Sequence, residues 1–459
     1  MEQSLLDRIA KYDFAGPRYT SYPPAPVFTD AFDAAAHRQS ILETERSPRS
    51  PNVSLYFHIP FCDTLCYFCG CTAIITRNRH HFQEYVDVLK QEVSLVAPLL
   101  HKSRNVVQMH WGGGTPTYLT PSQIDALGGH IRNNFSLSPD AEVSVEVDPR
   151  DLTFFHLQAL RGIGFNRISL GVQDFDPRVQ RAVNRNQSEF VTRQAIEWSR
   201  GLGFSSLNLD LIYGLPLQTV QTFASTLEKV IDISPDRIAV YNFAYVPWMK
   251  KHQSLIHSED MPSPETKLKI LAMTIERLTS AGYVYIGMDH FAKPEDELTV
   301  AQRNNTLHRN FQGYSTNGGA DLYGFGMSSI SHYGTCYAQN EKTLPEYYAA
   351  IRAGGLATRV GYNMSFDDQV RKFVIMGLMC RPYLDVTEVE EKFGITFREY
   401  FAEALLKLGP LADDGLVVDG GSRIYVTGDG RLFLRNIAIC FDAHTDMAKR
   451  RQQLYSRTV

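Results

Sequence analysis

The chain has 459 residues, 44% of them apolar and 21% charged, an ordinary globular composition with room for two or three domains. A formal net charge of -4 and a pI near 6.4 exclude a general nucleic-acid binder, which carries excess basic charge. No run approaches the roughly 20 apolar residues of a membrane span, and the charged start Met1-Glu-Gln-Ser-Leu-Leu-Asp-Arg8 lacks a signal-peptide core, so a cytoplasmic protein with no membrane or nucleic-acid partner is expected.

Residues 1–50 read as an N-terminal arm: a short helical start, then Gly16-Pro-Arg-Tyr-Thr-Ser-Tyr-Pro-Pro24, extended because Gly and Pro bracket it. Two tyrosines and an arginine are unusual in a linker, and Arg18 is a tentative substrate-binding residue, since guanidinium groups favour planar carboxylates. From about 53 to 292, β-rich runs alternate with helical stretches. The runs are Val53–Ile59, Val106–Trp111, Glu142–Val147, Arg167–Val172, Ser206–Ile212, Arg237–Phe243 and Tyr283–Met288. Helices are expected between them, at His81–Leu99, Pro121–Phe135, Thr153–Arg161, Glu189–Arg200, Thr219–Ile231 and Pro264–Ser280. Such alternation implies a parallel sheet with right-handed crossovers, and this many units suggest a complete or partial barrel.

The strand ends carry the polar residues. Trp111-Gly-Gly-Gly-Thr-Pro116 follows the second run. Period-2 alternation puts Glu146, then Ser169 and Gly171, then Asn208 and Asp210 on one face of their strands. A polar lining at the C-terminal ends of barrel strands is where such folds place their chemistry. Residues 293–340 read as loop-rich; Gly324-Phe-Gly326 gives Gly-x-Gly with no clear strand before it, weak evidence for a nucleotide site. From about 345 helical periodicity dominates, with Leu344–Arg352, Asp367–Met379, Val386–Phe393 and Phe397–Leu408, then a hairpin-like run from Leu416 to Val426 and a final helix through Asn436–Arg451. The expected division is an arm at 1–50, a barrel at 51–345 and a mostly helical C-terminal domain at 346–459, whose helix–hairpin–helix order is compatible with a winged-helix shape serving as lid or support.

The chain is organised around the first strand and the loop after it, Tyr56-Phe-His-Ile-Pro-Phe-Cys62-Asp-Thr-Leu-Cys66-Tyr-Phe-Cys69-Gly-Cys71, which holds four of the seven cysteines. An odd number, mostly clustered, does not form a secreted disulfide framework, so reduced thiols holding a metal or cluster are expected. Structural zinc sites use separated Cys pairs or distant histidines, and Cys69 and Cys71 are too close to ligate one tetrahedral ion without strain. Three thiolates on a compact loop suit a cubane cluster better, leaving one iron open for chemistry; zinc is the alternative.

With Cys-x3-Cys-x2-Cys after the first strand and Gly-Gly-Gly-Thr-Pro after the second, the chain resembles the radical S-adenosylmethionine (SAM) enzymes. With Gly16-Pro-Arg-Tyr-Thr-Ser-Tyr-Pro, Cys69-Gly-Cys71, His308-Arg-Asn-Phe-Gln-Gly-Tyr and Arg435-Asn-Ile-Ala-Ile-Cys-Phe-Asp, it resembles, nearly end to end, the oxygen-independent coproporphyrinogen III dehydrogenase (oxidase) family of haem biosynthesis. The resemblance implies an α/β fold with a partial (β/α)6-type barrel, a [4Fe-4S] cluster on Cys62, Cys66 and Cys69, and an additional Cys71 that is not a ligand. It implies two SAM molecules. By motif match Tyr56, Gly113, Glu146 and Ile330 would touch the one chelating the cluster, with Tyr56 and Glu146 as candidate catalytic residues. Phe68, Gly114, Thr115, Gln173, Arg185, Asp210 and Ala244 would touch the second. It further implies a porphyrinogen substrate, a flavodoxin- or ferredoxin-like electron donor, and a monomer. The nearest rival is a haem-binding or haem-transfer protein of the same superfamily, whose members generally lack the Cys-Gly-Cys ending and the Gly-Pro-Arg-Tyr-Thr arm. Near residue 380 the family pattern is not kept: the run here is Cys380-Arg-Pro-Tyr-Leu.

Overall fold

The structure, a computed structural model, describes residues 8, 11, 12, 14, 16–46 and 52–445. The expected helical start before residue 8 and the far end of the expected last helix, through Arg451, lie outside these residues.

One twelve-stranded sheet organises the fold. Its strands are β1 (Asn52–Ile59), β2 (Asn105–Gly113), β3 (Leu137–Val147), β4 (Arg167–Gln173), β5 (Ser206–Tyr213), β6 (Arg237–Asn242), β7 (Val284–Gly287), β8 (His290–Ala292), β9 (Asp321–Phe325), β10 (Ile330–Tyr333), β11 (Cys336–Asn340) and β12 (Thr358–Asn363). The order is β12-β11-β10-β9-β1-β2-β3-β4-β5-β6-β8-β7. From β9 through β1 to β6 every pairing is parallel. Helices lie between successive parallel strands, as crossover connections require. Both ends are finished by antiparallel strands and the sheet does not close on itself, so the barrel is partial.

The core follows from alternation. In β3, β4 and β5 every second side chain is buried against the helices (Val143, Val145; Ile168, Leu170; Leu207, Leu209, Leu211), and the intervening ones face the barrel interior half-buried. Glu146, Ser169, Gly171, Asn208 and Asp210 are among these interior positions.

Three expectations change. The run at Tyr283–Met288 is no further parallel strand: β7 turns directly into β8, which pairs antiparallel with β6. A parallel return needs a crossover of a dozen or more residues, and only Met288 and Asp289 separate the two. Second, residues 293–340 contain a helix (Glu297–Arg303), a hairpin (His308–Asn310 with Gly313–Ser315) and β9, β10 and β11. Gly324-Phe-Gly326 therefore ends a strand, β9. Its glycines serve packing: a Cβ on Gly324 would meet the Ile330 backbone at 2.7 Å, and one on Gly326, at φ +90°, would meet the Tyr85 hydroxyl at 2.5 Å. Third, the last described helix stops at Ile439.

Beyond β12, helices Phe366–Cys380, Val386–Phe393 and Ala402–Asp413 surround a three-stranded sheet, with Arg423–Val426 between Tyr383–Asp385 and Val417–Asp419. They share a separate apolar cluster with Tyr12, Tyr19 and Tyr22 of the arm. The arm crosses the open side of the sheet. Arg18 donates to the Asn242 carbonyl at the end of β6 (2.5 Å), Tyr337 of β11 donates to the Tyr22 carbonyl (3.0 Å), and Thr29 bridges Gly361 of β12. Arg435 donates to the Gly16 and Pro17 carbonyls, and Tyr19 to Asp442 (2.8 Å).

Helix His80–Val96 locks the β1 and β9 ends together from outside. Tyr85 donates to the His58 carbonyl (2.6 Å), while buried Glu92 accepts from the Gly326 N–H (2.7 Å), Asn340 (2.6 Å) and Tyr347 (2.7 Å). Burial pushes the Glu92 carboxyl up to about 7, against the hydrogen bonds it accepts. Its folded-state value thus exceeds that of the unfolded chain, about 4.3. The folded protein holds a proton that the unfolded chain releases, so stability is full below about pH 4.3 and declines as pH rises to about 7. In denaturant titrations across this window, Glu92→Gln is expected to lack this decline, which amounts to about 4 kcal/mol. Glu92→Leu is expected to lose about 3 kcal/mol or more at every pH, because three donors are left unpaired.

Candidate functional site

The C-terminal ends of the parallel strands open into a cavity of about 910 Å3. Its floor begins where β1 and β2 run on as paired backbone beyond their hydrogen-bonded strands: the Gly114 N–H donates to the Ile59 carbonyl (2.8 Å) and the Thr115 N–H to the Phe61 carbonyl (2.9 Å). A Cβ on Gly114 would meet the Pro60 carbonyl oxygen at 2.5 Å, and one on Gly112 the Glu146 carboxyl at 2.8 Å. These glycines are thus required by the protein's own packing, before any bound moiety is considered.

The cysteine loop is clamped from two sides. Asn184 donates to the Leu65 carbonyl (2.8 Å) and the Tyr67 N–H to the Val183 carbonyl (2.9 Å). From the segment after β6, Gln253 donates to the Phe68 carbonyl (3.2 Å), His252 Nε2 lies 2.8 Å from the Cys69 carbonyl, and Lys250 donates to the Cys71 carbonyl (3.1 Å). All seven cysteines are free. Cys62, Cys66 and Cys69 line the cavity, and donors are aimed at their sulfurs: Thr115 Oγ1 lies 3.4 Å from Cys62 Sγ, while Arg150 and Arg185 reach Cys66 Sγ at 3.5 and 3.6 Å. N–H and O–H groups pointed at sulfur suit thiolates that ligate an anionic cluster, so this donor set fits a [4Fe-4S] group. The Cys71 thiol lies against Cys69, and this contact pushes the Cys71 thiol up and the Cys69 thiol down.

Glu146 sits behind the glycines. Its carboxylate accepts from the Gly113 N–H (3.0 Å) and lies 3.3 Å from His110 Nε2, whose Nδ1 is 2.7 Å from Ser144 Oγ. Burial pulls the Glu146 pKa up, but the hydrogen bond and charge of His110 with the Gly113 N–H outweigh it and the net direction is down. Asp210 goes the other way: burial raises it to about 6 despite bonds from Ser169 and Asn208 (both 2.8 Å). Asp148 is also buried, yet Arg185 and Arg150 hold it down to about 2. Arg185, expected to touch the second SAM, is here bonded to Asp148 (3.0 Å) and the Gly171 carbonyl (2.6 Å), with its Nε buried and unpartnered. Gln173 takes φ +70°, a left-handed conformation rare for non-glycine residues, at the end of β4.

Of the residues singled out from the sequence, Arg18, Cys62, Cys66, Phe68, Cys69, Gly113, Gly114, Thr115, Glu146, Gln173, Arg185, Asp210 and Ala244 line this one cavity. Tyr56 and Ile330 are not in its lining. Tyr56 faces the interior one layer lower, stacked on His110 (centroids 5.9 Å apart) and 3.0 Å from His58 Nδ1. Ile330 packs beside Phe28 and Tyr337. Sequence reasoning passed over His110, Asp148, Arg150 and the clamp residues Asn184, His252 and Gln253. The same alternation that picks Glu146 also picks Asp148 and, on β2, His110; no comparable signal marks the clamp.

Comparisons with known proteins agree with this layout. The Radical SAM superfamily model matches residues 56–230 and the HemN C-terminal domain model residues 364–433. The chain is 50% identical to the oxygen-independent coproporphyrinogen III oxidase of Salmonella typhimurium and 49% identical to that of Escherichia coli, in each case over 99% of this chain and 98% of the relative. The solved structure of Escherichia coli coproporphyrinogen III oxidase (HemN), described as a radical SAM enzyme, superposes with a TM-score of 0.89 and 49% identity, over 93% of this chain and 98% of that one.

The ligand assignment is tested by substitution. Anaerobically purified protein is expected to hold about four irons and four sulfides per chain. Cys62→Ala, Cys66→Ala and Cys69→Ala should each abolish them, and Cys71→Ala should leave them in place. A cluster lost with Cys71→Ala, as measured by iron and acid-labile sulfide, would show the assignment to be wrong.

Proposed function

The chain belongs to the oxygen-independent coproporphyrinogen III oxidases, within the radical SAM superfamily, and on that premise we propose which of its residues do which part of the work. The reaction is the oxidative decarboxylation, without oxygen, of two propionate side chains of coproporphyrinogen III to vinyl groups, giving protoporphyrinogen IX in porphyrin and haem biosynthesis. No protein acid or base is suited to this step, because the propionate β C–H is unactivated. The bound cluster and SAM supply the missing chemistry, a one-electron cleavage that yields methionine and a 5'-deoxyadenosyl radical able to remove that hydrogen.

The protein's own part is holding, orienting and shielding. Cys62, Cys66 and Cys69 are the cluster ligands, with Thr115, Arg150 and Arg185 donating to their sulfurs. Glu146, kept ionised by His110 and the Gly113 N–H, accepts from an ammonium or from ribose hydroxyls at the cluster-bound SAM, beside Gly113. Tyr56 supports it from the layer below through His110, and Ile330 packs at the far edge. Two SAM molecules are proposed. A cavity of about 910 Å3, with Gly113 and Glu146 in its lining together with Phe68, Gly114, Thr115, Gln173, Arg185, Asp210 and Ala244, supports both being held in one space. Arg18, at the same cavity and half-buried, is the proposed contact for the reacting propionate. The electron donor is proposed to be a small flavodoxin- or ferredoxin-like carrier and the working form a monomer in the cytoplasm. No helix among the described residues is long and apolar enough to cross a membrane.

The observation that carries this assignment is the convergence of the three thiols, Glu146 and Asp210 on one cavity at the parallel strand ends. Anaerobic incubation with a reductant, SAM and coproporphyrinogen III should give protoporphyrinogen and methionine, with SAM binding at about two per chain by equilibrium dialysis. Stoichiometric haem binding without turnover would favour the carrier reading instead. One SAM per chain under saturation would remove the second site.

A further inference from the structure

A second chamber, of about 690 Å3, lies between the barrel and the C-terminal helices. The arm separates it from the first: Arg18 lines the cysteine cavity, whereas Thr20 and Ser21 line this one. Arg309, on the hairpin His308–Asn310, also lies between them. Its charge acts on Tyr241, a wall of the first cavity, and on Cys380, a wall of the second.

The chamber's charges are unbalanced. Arg309 lies over the Tyr314 ring, 4.7 Å from its centroid, and its Nε and Nη1 are buried with no hydrogen-bond partner among the described residues. Lys372, from helix Phe366–Cys380, has its Nζ 2.5 Å from His332 Nε2 and 5.2 Å from the Tyr337 ring centroid, and neither partner is anionic. The chamber's acids are already engaged: Asp321 with Arg104 and the Gly334 N–H, Asp385 with Arg423, Glu388 with Arg381. Arg309 and Lys372 thus face one space without a counter-ion, as does the exposed Lys392 over the Phe373 ring, and for the two less exposed cations this is costly unless an anion joins them. Burial pulls the Lys372 ammonium down to about 7, and a carboxylate beside it would favour the charged form.

We propose that this chamber binds the carboxylate-bearing edge of the tetrapyrrole, with Arg309 and Lys372 holding propionates that are not being decarboxylated. The inference rests on coproporphyrinogen III being the substrate. Propionates that survive the reaction must be held while another is presented to the cofactors. The cysteine cavity presents Glu146 and Asp210, which repel carboxylates, its Arg150 and Arg185 are turned to Asp148, and its remaining cations are Arg18, Lys250 and Lys251. The second chamber offers the opposite charge on the far side of the same arm. Arg309 supplies a forked donor for a planar carboxylate and Lys372 a point charge.

The test uses cluster-loaded enzyme under anaerobic turnover, with Arg309→Gln and Lys372→Met. Each should raise the KM for coproporphyrinogen III by about tenfold or more, with kcat and the KM for SAM near wild type, because a charge-assisted hydrogen bond is lost. Lys372→Arg should recover most of the loss. Wild-type enzyme should bind the tetramethyl ester of coproporphyrinogen III far more weakly than the free acid. An unchanged KM in both variants overturns the inference alone. Equal wild-type affinity for acid and ester overturns it too, and that comparison stands even where a variant fails to fold. Absence of turnover by the wild type overturns the assigned reaction and this inference with it.

Discussion

The close approach of two backbone segments, Ile59–Phe61 from the last residue of β1 and Gly113–Thr115 from the last residue of β2, is the constraint on which the site depends. Parallel pairing usually ends where the loops begin. Here it continues, with the Gly114 and Thr115 N–H groups bonded to the Ile59 and Phe61 carbonyls. A side chain at 114 would collide with the Pro60 carbonyl, and one at 112 with Glu146. The stretch that launches the cysteine loop and the stretch that backs Glu146 are therefore one rigid piece. Moving either displaces Cys62 relative to the carboxylate, and the relative placement of thiols and carboxylate is what a positioning enzyme must fix.

A second constraint follows from the sheet's failure to close. An open sheet leaves edges with unpaired backbone groups and an interior accessible to water. The arm meets both needs. It bonds to β6 through Arg18, to β11 through Tyr22 and to β12 through Thr29, and the C-terminal segment grips it through Arg435 and Asp442. Of the arginine and tyrosines that look excessive for a linker, Arg18 and Tyr19 make such bonds through their side chains, and the Tyr22 hydroxyl accepts from the Ala443 N–H. Because the same segment walls two cavities, covering the barrel and shaping the substrate space are one function.

Much of this is legible in the sequence, and the limits are physical. Period-2 alternation reports which face a strand side chain takes, so Glu146, Ser169 and Asp210 were placed correctly, as were the first six strands. It cannot report pairing across long separations. β9 is five residues long and contains a glycine, and its stability as a strand comes from lying parallel to β1, far back in the chain. Read locally, it is a loop. Partner choice is equally hidden: Arg185 is legible as a carboxylate binder, but its pairing with Asp148 depends on how two loops meet. The glycines at the end of β2 show a different limit. The resemblance puts Gly113 and Gly114 against SAM, whereas the nearest atoms to a Cβ at Gly112 and Gly114 belong to the protein.

The distribution of charge shows how one barrel can serve both an anionic, thiolate-rich centre and a polyanionic substrate. Around the thiols, Arg150 and Arg185 share the single carboxylate of Asp148, so their guanidinium N–H groups point at sulfur and bring one net positive charge beside the thiolates. That balance suits a centre whose potential is sensitive to nearby charge and hydrogen bonds. The same cavity is lined by Arg18, Lys250 and Lys251. Beyond the arm lie Arg309 and Lys372, two cations with no acidic partner, whose neighbours are aromatic rings and a neutral histidine. Burial holds His332 well below its usual value, with Lys372 beside it pushing the same way. A tetrapyrrole drawn by those cations would come to rest with its carboxylate edge away from Glu146 and Asp210, leaving Arg18 to meet the reacting propionate on the cluster side.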